Sequence, residues 1–217
     1  MKKYITFTCI VSCLVFGATQ GKASPSACNA VAGNLVANCG FETGHFTSWT
    51  LSGNDVPGQE GVLYGVEGTD PIDGISPNSG SDQAFFADLD SNATTLSQDI
   101  TTTAGDLYTI TFWVAQDTAS SSEYGNELLA SFGGATLVNK SDVAEEGYTE
   151  YSYNVDATSS SSALDLTLGN NLGEFLLDDV SVVDTTPVAT PEPGSIVLLG
   201  TGLLTLAGVA RRRLSRR

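Results

Sequence analysis

The sequence predicts an all-β fold, an antiparallel jelly-roll sandwich, preceded by a signal peptide and followed by one C-terminal transmembrane helix. Three observations predict it. Between residues 34 and 184, apolar residues alternate with polar ones in short runs, the period of a strand that buries one face. Those runs are punctuated by Gly, Ser, Asn and Asp, and no interior segment keeps a 3.6-residue period beyond about two turns. Positive charge is confined almost entirely to the two ends: of nine Lys and Arg, Lys140 alone lies between residues 24 and 190.

The front of the chain reads as a secretory signal over residues 1–23. Lys2 and Lys3 give a positive start, Ile5 to Ala18 is apolar, and Gly21-Lys22-Ala23 offers small residues for cleavage. Cleavage there removes Cys9 and Cys13 and leaves Cys28, in an N-terminal segment 24–33, and Cys39. In an oxidising compartment the two most simply pair with each other. A metal site would need more ligands, and the sole histidine is His45.

The body of the chain, 34–184, divides into strand candidates at Asn34 to Phe41, Ser48 to Ser52, Gly61 to Val66, Ala84 to Leu89 and Thr94 to Ile100. Five more follow at Leu107 to Ala115, Glu127 to Phe132, Thr149 to Val155, Leu164 to Leu168 and Phe175 to Val183. So many short strands without helices specify a sandwich. Of the 25 Asp and Glu, only Glu192 lies beyond residue 190, so this part carries 24 acids against one base. Such a surface repels nucleic acid and anionic lipid and invites divalent cations.

After an exposed linker, 185–190, the tail 191–217 has three parts. Pro191-Glu192-Pro193 is stiff and non-helical. Residues 194–210 carry no charge and make a helix just long enough for a thin hydrocarbon core. Arg211, Arg212, Arg213, Arg216 and Arg217 then form a cytoplasm-facing block. This order resembles the PEP-CTERM sorting signal of Gram-negative bacteria, with Thr190 where valine is more usual before the motif. The resemblance implies export through the inner membrane and at least transient anchoring. It also implies processing by the membrane enzyme exosortase, and a cell-surface or exopolysaccharide-matrix destination in biofilm production.

A second resemblance covers most of the body. Asn34-Leu35-Val36-Ala37-Asn38-Cys39-Gly40-Phe41-Glu42-Thr43-Gly44, then Trp49, is similar to the opening of galactose-binding-like jelly rolls, and carbohydrate-binding modules share the architecture. Ser97 to Ile100, Tyr108 to Trp113 and Phe175 to Val180 are similar to its later strands; Cys39 stands where glycine is usual. Related jelly rolls hold a structural Ca²⁺ between the first and last strands, which makes Glu42 and Asp178 the candidate ligands, completed by backbone carbonyls near Gly40. In plain strand periodicity, Leu176, Asp178, Val180 and Val182 share one face, with Asp179 on the other, so at least one carboxylate points inward. It then needs a partner: calcium, backbone amides, or Lys140.

The resemblance also raises sugar binding. Tyr108, Ile110, Phe112 and Val114 share a face, leaving Trp113 opposite beside Thr109 and Thr111, where it would line an open sheet face. Tyr124, in a polar loop, is the second ligand candidate; Trp49, Tyr151 and Tyr153 read as core. No catalysis is expected: His45 has no nucleophile motif around it, and phosphate-loop and dinucleotide fingerprints are absent from the sequence. The expected function is a non-catalytic surface or matrix protein that binds glycan. The alternatives are a structural, Ca²⁺-bridged adhesive protein and, by analogy of the tail, an ice-binding protein. The last would need a flat Thr array, and Thr101-Thr102-Thr103 is a cluster instead.

Overall fold

A computed structural model describes residues 25–53, 62–69, 74–88, 93–118, 125–187 and 195–214. The expected signal peptide, Tyr124 and Pro191 to Pro193 lie outside the described residues.

Among the described residues, ten strands form two five-stranded antiparallel sheets. They are β1 (Thr50–Gly53), β2 (Val62–Glu67), β3 (Gln83–Asp88), β4 (Thr94–Thr101), β5 (Leu107–Gln116), β6 (Asn126–Phe132), β7 (Ala135–Ser141), β8 (Glu146–Asp156), β9 (Ser161–Asn170) and β10 (Phe175–Asp184). One sheet runs β1-β4-β9-β6-β7 and the other β2-β3-β10-β5-β8. Counted from β3, the last eight strands follow the interleaved double Greek-key order of a jelly roll, with β1 and β2 added at one side.

The inner faces meet in a closely packed core. Leu96 and Ile100 of β4, Leu128 and Phe132 of β6, and Leu164, Leu166 and Leu168 of β9 come from one sheet. Phe86, Ile110, Phe112, Phe175, Leu177, Val180 and Val182 come from the other, and all of these are at most 1% exposed. Tyr151 stacks on Phe112 with ring centroids 5.4 Å apart, as the alternation of β8 predicts.

Two expectations are corrected. Asn34 to Phe41 is not a strand. It makes only two separated backbone bonds to β10, Leu35 N–H to Val182 O and Val180 N–H to Cys39 O, both at 2.9 Å, and side chains supply the rest: Ala37 N–H and C=O pair with the Gln98 amide at 2.8 and 3.0 Å, and Val182 N–H donates to Asn34 Oδ1 at 3.0 Å. With those groups satisfied, the segment follows β10 as a run of turns. Conversely, β7 was not anticipated, because this edge strand buries only Val138 and so shows no alternation. Its hairpin signal is Gly133-Gly134, both at positive φ, between the paired Phe132 and Ala135.

The expected transmembrane helix of the tail is not shown. A helix, α1 (Ser195–Leu214), is present, but it runs on through Arg211 to Arg213. Its uncharged part, about 16 residues at ~1.5 Å each, falls short of the ~30 Å hydrocarbon thickness. Among the described residues, no helix is long and apolar enough to cross a membrane.

Candidate functional site

Two adjoining features stand on the outer face of the β5–β10 sheet: a covered cluster of carboxylates and an open groove. Both originate in one irregularity of β10. Asp178 pairs with Trp113 and Ser181 with Thr111, so Asp179 and Val180 together oppose Phe112, and Asp179 adopts φ +50°. This bulge shifts the alternation by one residue. Phe175 and Leu177 before it, and Val180 and Val182 after it, all reach the core. The expected face shared by Asp178, Val180 and Val182 does not exist. Asp178 lies on the Trp113 side of the sheet, buried by the segments laid over that face and not by the inter-sheet core.

Those covering segments are the N-terminal turn around Ala27–Ala30 and the loop at residues 78–82. Asp179 is held by both: its oxygens accept from Ser26 Oγ at 2.9 Å, Cys28 N–H at 3.0 Å, Asn78 Nδ2 at 2.8 Å and Ser79 Oγ at 2.7 Å. Asp178, fully buried, accepts from the backbone N–H groups of Ser79 at 3.0 Å and Asp179 at 2.7 Å. The Cys28–Cys39 disulfide forms and ties the covering turn to the start of the Gly40-Phe41-Glu42 corner. At that corner Phe41 has φ +58°, which sends its ring into the core against Trp49 and leaves Glu42 facing outward. Glu42 accepts from Ser81 N–H at 2.9 Å. Gly80 sits at φ +73°, the region that favours glycine, and a Cβ on it would also displace the Glu42 carboxylate.

Burial pushes the Asp178 carboxyl up to about 8, and the neighbouring Asp179 and Glu42 charges add to the effect against two opposing backbone hydrogen bonds. Tyr148, which donates to Gln83 Oε1 at 2.7 Å, is raised well above the usual tyrosine range by burial and then by Asp178, Asp179 and Glu67. Lys140 does not neutralise Asp178. It sits on β7 and donates to Tyr151 Oη at 3.3 Å. The structure therefore brings the expected calcium ligands Glu42 and Asp178 onto one loop, with Gly40 beside Asp178 Oδ1. Among the described residues no three His, Cys, Asp or Glu side chains converge as a preformed metal cage. A cation there would have to complete its shell from backbone carbonyls, and the backbone amides already give each carboxylate a partner.

The groove lies alongside. Thr109, Thr111 and Trp113 of β5 and Ser181 of β10 form its floor, Ala27 and Val31 one wall, and Glu150 of β8 its far side; its volume is about 350 Å³. The hydroxyls form a row, with Thr109 Oγ1 donating to Asn154 Oδ1 at 2.7 Å and Thr111 Oγ1 lying 3.1 Å from Ser152 Oγ. Trp113 is half-buried, and its indole N–H has no partner among the described residues. Trp49 is the contrast: core as expected, it donates its N–H to Asn38 O at 3.2 Å. The Glu150 carboxylate, directly opposite Trp113 across the β5–β8 pair, is exposed and likewise unpartnered among the described residues.

The arrangement can therefore offer a flat aromatic surface, a ring N–H, neighbouring hydroxyls and one free carboxylate. Asp179, Ser79, Tyr148 and Glu150 were not singled out from sequence. Asp179 carried a signal, being the second acid of a pair in an apolar strand; the others lack one, since only the fold brings them together. His45, the lone candidate catalytic base, is exposed in the 43–47 turn.

No curated protein matches the chain. Among solved structures it is similar to the enzymatically active domain of tailspike protein 4 of bacteriophage CBA120, with TM-score 0.49 and 17% identity over 70% of this chain. The chain spans about a fifth of that protein, 21%. It is also similar to the module TmCBM61, solved with β-1,4-galactotriose, with TM-score 0.47, 21% identity, and coverage of 70% of this chain and 98% of that one. A CBM4 structure matches with TM-score 0.46 and 16% identity, covering 69% and 99%. One family model matches the sequence itself, at residues 189–214, spanning all of α1. That segment is a PEP-CTERM protein-sorting motif, carried on the end of a two-sheet β-sandwich.

Proposed function

We propose that this chain is an exported surface or exopolysaccharide-matrix protein, sorted by an exosortase-type enzyme, whose sandwich binds glycan through the Trp113 groove without catalysis. The sorting motif at residues 189–214 supports the first half. The observation that carries the second is Trp113: a half-buried indole whose N–H has no partner among the described residues, lining a groove beside threonine and serine hydroxyls. Sugars are recognised by stacking of an apolar pyranose face on an aromatic ring, with hydrogen bonds to the hydroxyls around it. The apolar helix α1 is the membrane-side handle during processing, and the biofilm setting belongs to the same proposal.

The test is binding to a glycan array by the full-length chain and by Trp113→Ala. Saturable binding that vanishes in the variant and persists in chelator supports the proposal. Binding that survives in the variant and vanishes in chelator favours a Ca²⁺-bridged adhesive protein. Mass spectrometry of the mature protein tests the sorting half: a C-terminus close to residues 191–193 is expected, and an intact Arg217 terminus contradicts processing.

A structural Ca²⁺ at Glu42 and Asp178 is part of this proposal, supported by the mutual repulsion of Asp178 with Asp179 and Glu42 and by Lys140 being engaged elsewhere. A melting midpoint that chelator leaves unchanged removes it.

A further inference from the structure

The charge around the groove narrows the kind of sugar it takes. Of the carboxylates that line it, Asp179 is saturated: Ser26, Cys28, Asn78 and Ser79 all donate to it. Glu150 is not. It stands across the β5–β8 pair from Trp113, and residues paired in this way put their side chains on the same side of the sheet, about 5 Å apart at Cβ. A ring stacked on the indole therefore lies within reach of the Glu150 carboxylate.

Among the described residues that line the groove there is no Lys or Arg. Lys140, the one base between residues 24 and 190, is on the opposite sheet with its ammonium 4.8 Å from the Tyr151 ring centroid. A uronic acid or sulfated sugar placed on Trp113 would meet a free carboxylate, a strongly acidic domain and no cation. A neutral sugar would use the ring and the hydroxyls but would leave Glu150 with nothing but water or one hydroxyl. A hexosamine with a free amino group uses all three elements. Its ammonium donates a charge-assisted hydrogen bond to Glu150 and makes a cation–π contact with Trp113.

We infer that the Trp113–Glu150 pair selects amino sugars, the ligand class being oligosaccharides of 2-amino-2-deoxyhexose with unacetylated nitrogen. This rests on the glycan-binding reading above. It assigns Glu150 as a specificity-determining residue and the indole as the platform common to every sugar bound.

The experiment titrates the full-length chain with three tetramers at physiological ionic strength: glucosamine, N-acetylglucosamine and a uronic acid. Glucosamine is expected to bind at least about tenfold more tightly than its N-acetylated counterpart, the ratio that a single charge-assisted contact supplies, and the uronic acid not at all. Glu150→Gln is expected to bring glucosamine down to the affinity of N-acetylglucosamine and leave the latter unchanged. Asp99→Asn is the control, since Asp99 is an exposed acid of β4 on the other sheet and its substitution removes the same charge. Equal affinities for the two hexosamines, or a Glu150→Gln variant that keeps the preference, overturn the inference and leave glycan binding standing. An equal loss in Asp99→Asn overturns it too, showing that bulk charge holds the ligand. Failure of all three tetramers to bind saturably overturns the inference and the reading beneath it together.

Discussion

Asp178 makes stability depend on pH in the direction opposite to an ordinary carboxylate. Its carboxyl titrates at about 8 in the folded protein against an ordinary value of 3.8, chiefly because burial penalises the charge. Between those two values the folded state keeps a proton that the unfolded chain has released. Stability from this group is therefore fully present below about pH 4 and is lost as pH rises toward 8. At ~1.36 kcal/mol per pH unit, the interval from 3.8 to about 8 bounds the loss at ~6 kcal/mol, and relaxation of the covering loop lowers that figure. The perturbation is Asp178→Asn, which is neutral in both states. The assay is urea unfolding of both proteins in chelator at pH 5 and pH 8. Wild type is expected to lose at least ~2 kcal/mol more than the variant over that interval, whatever the variant's absolute stability. Equal losses would refute the reasoning, since they would mean that Asp178 is ionised in the fold without penalty. Calcium, if it seats on Glu42 and Asp178, is expected to abolish the wild-type loss at pH 8 and do nothing for the variant.

Other consequences follow from the same geometry. Cys28→Ser with Cys39→Ser removes a crosslink between residues 11 apart and is expected to cost about 3 kcal/mol in the chain-entropy treatment, read as a lower urea midpoint. Gly80→Ala places a side chain at φ +73° against the Glu42 carboxylate and is expected to cost ~1–3 kcal/mol in the same assay. Leu166→Ala, a fully buried truncation at the centre of β9, is expected to cost ~2–5 kcal/mol.

Strands that bury one face announced themselves in the sequence: Leu164, Leu166 and Leu168 or Tyr108, Ile110, Phe112 and Val114 alternate cleanly, and both sets reach the core. The disulfide and the outward face of Trp113 were legible on similar grounds. What escaped was everything that depends on one residue out of step. The bulge at Asp179 inserts a residue that no periodicity marks, so the sequence reading put Asp178 on the same face as Val180. Asn34 to Phe41 has the composition of a strand, yet beyond two isolated backbone bonds to β10 the Asn34 and Gln98 side chains take the places of strand neighbours. Glu150 and Tyr148 acquire meaning only from what β8 is laid beside, Trp113 in one case and Gln83 in the other. The tail was the most legible segment of all as a motif, and the least as a membrane span, because a helix does not end where its apolar residues do.

The central claim, that Trp113 is a sugar platform, has a direct readout in the two indole N–H resonances of this chain, which has two tryptophans. Trp49 donates to a backbone carbonyl inside the protein, whereas Trp113 lines the groove and its N–H has no partner among the described residues. Titrating a hexosamine tetramer into labelled protein is predicted to move the Trp113 indole cross-peak saturably and leave that of Trp49 in place. A Trp113 resonance that stays fixed while the protein binds the sugar would contradict the account.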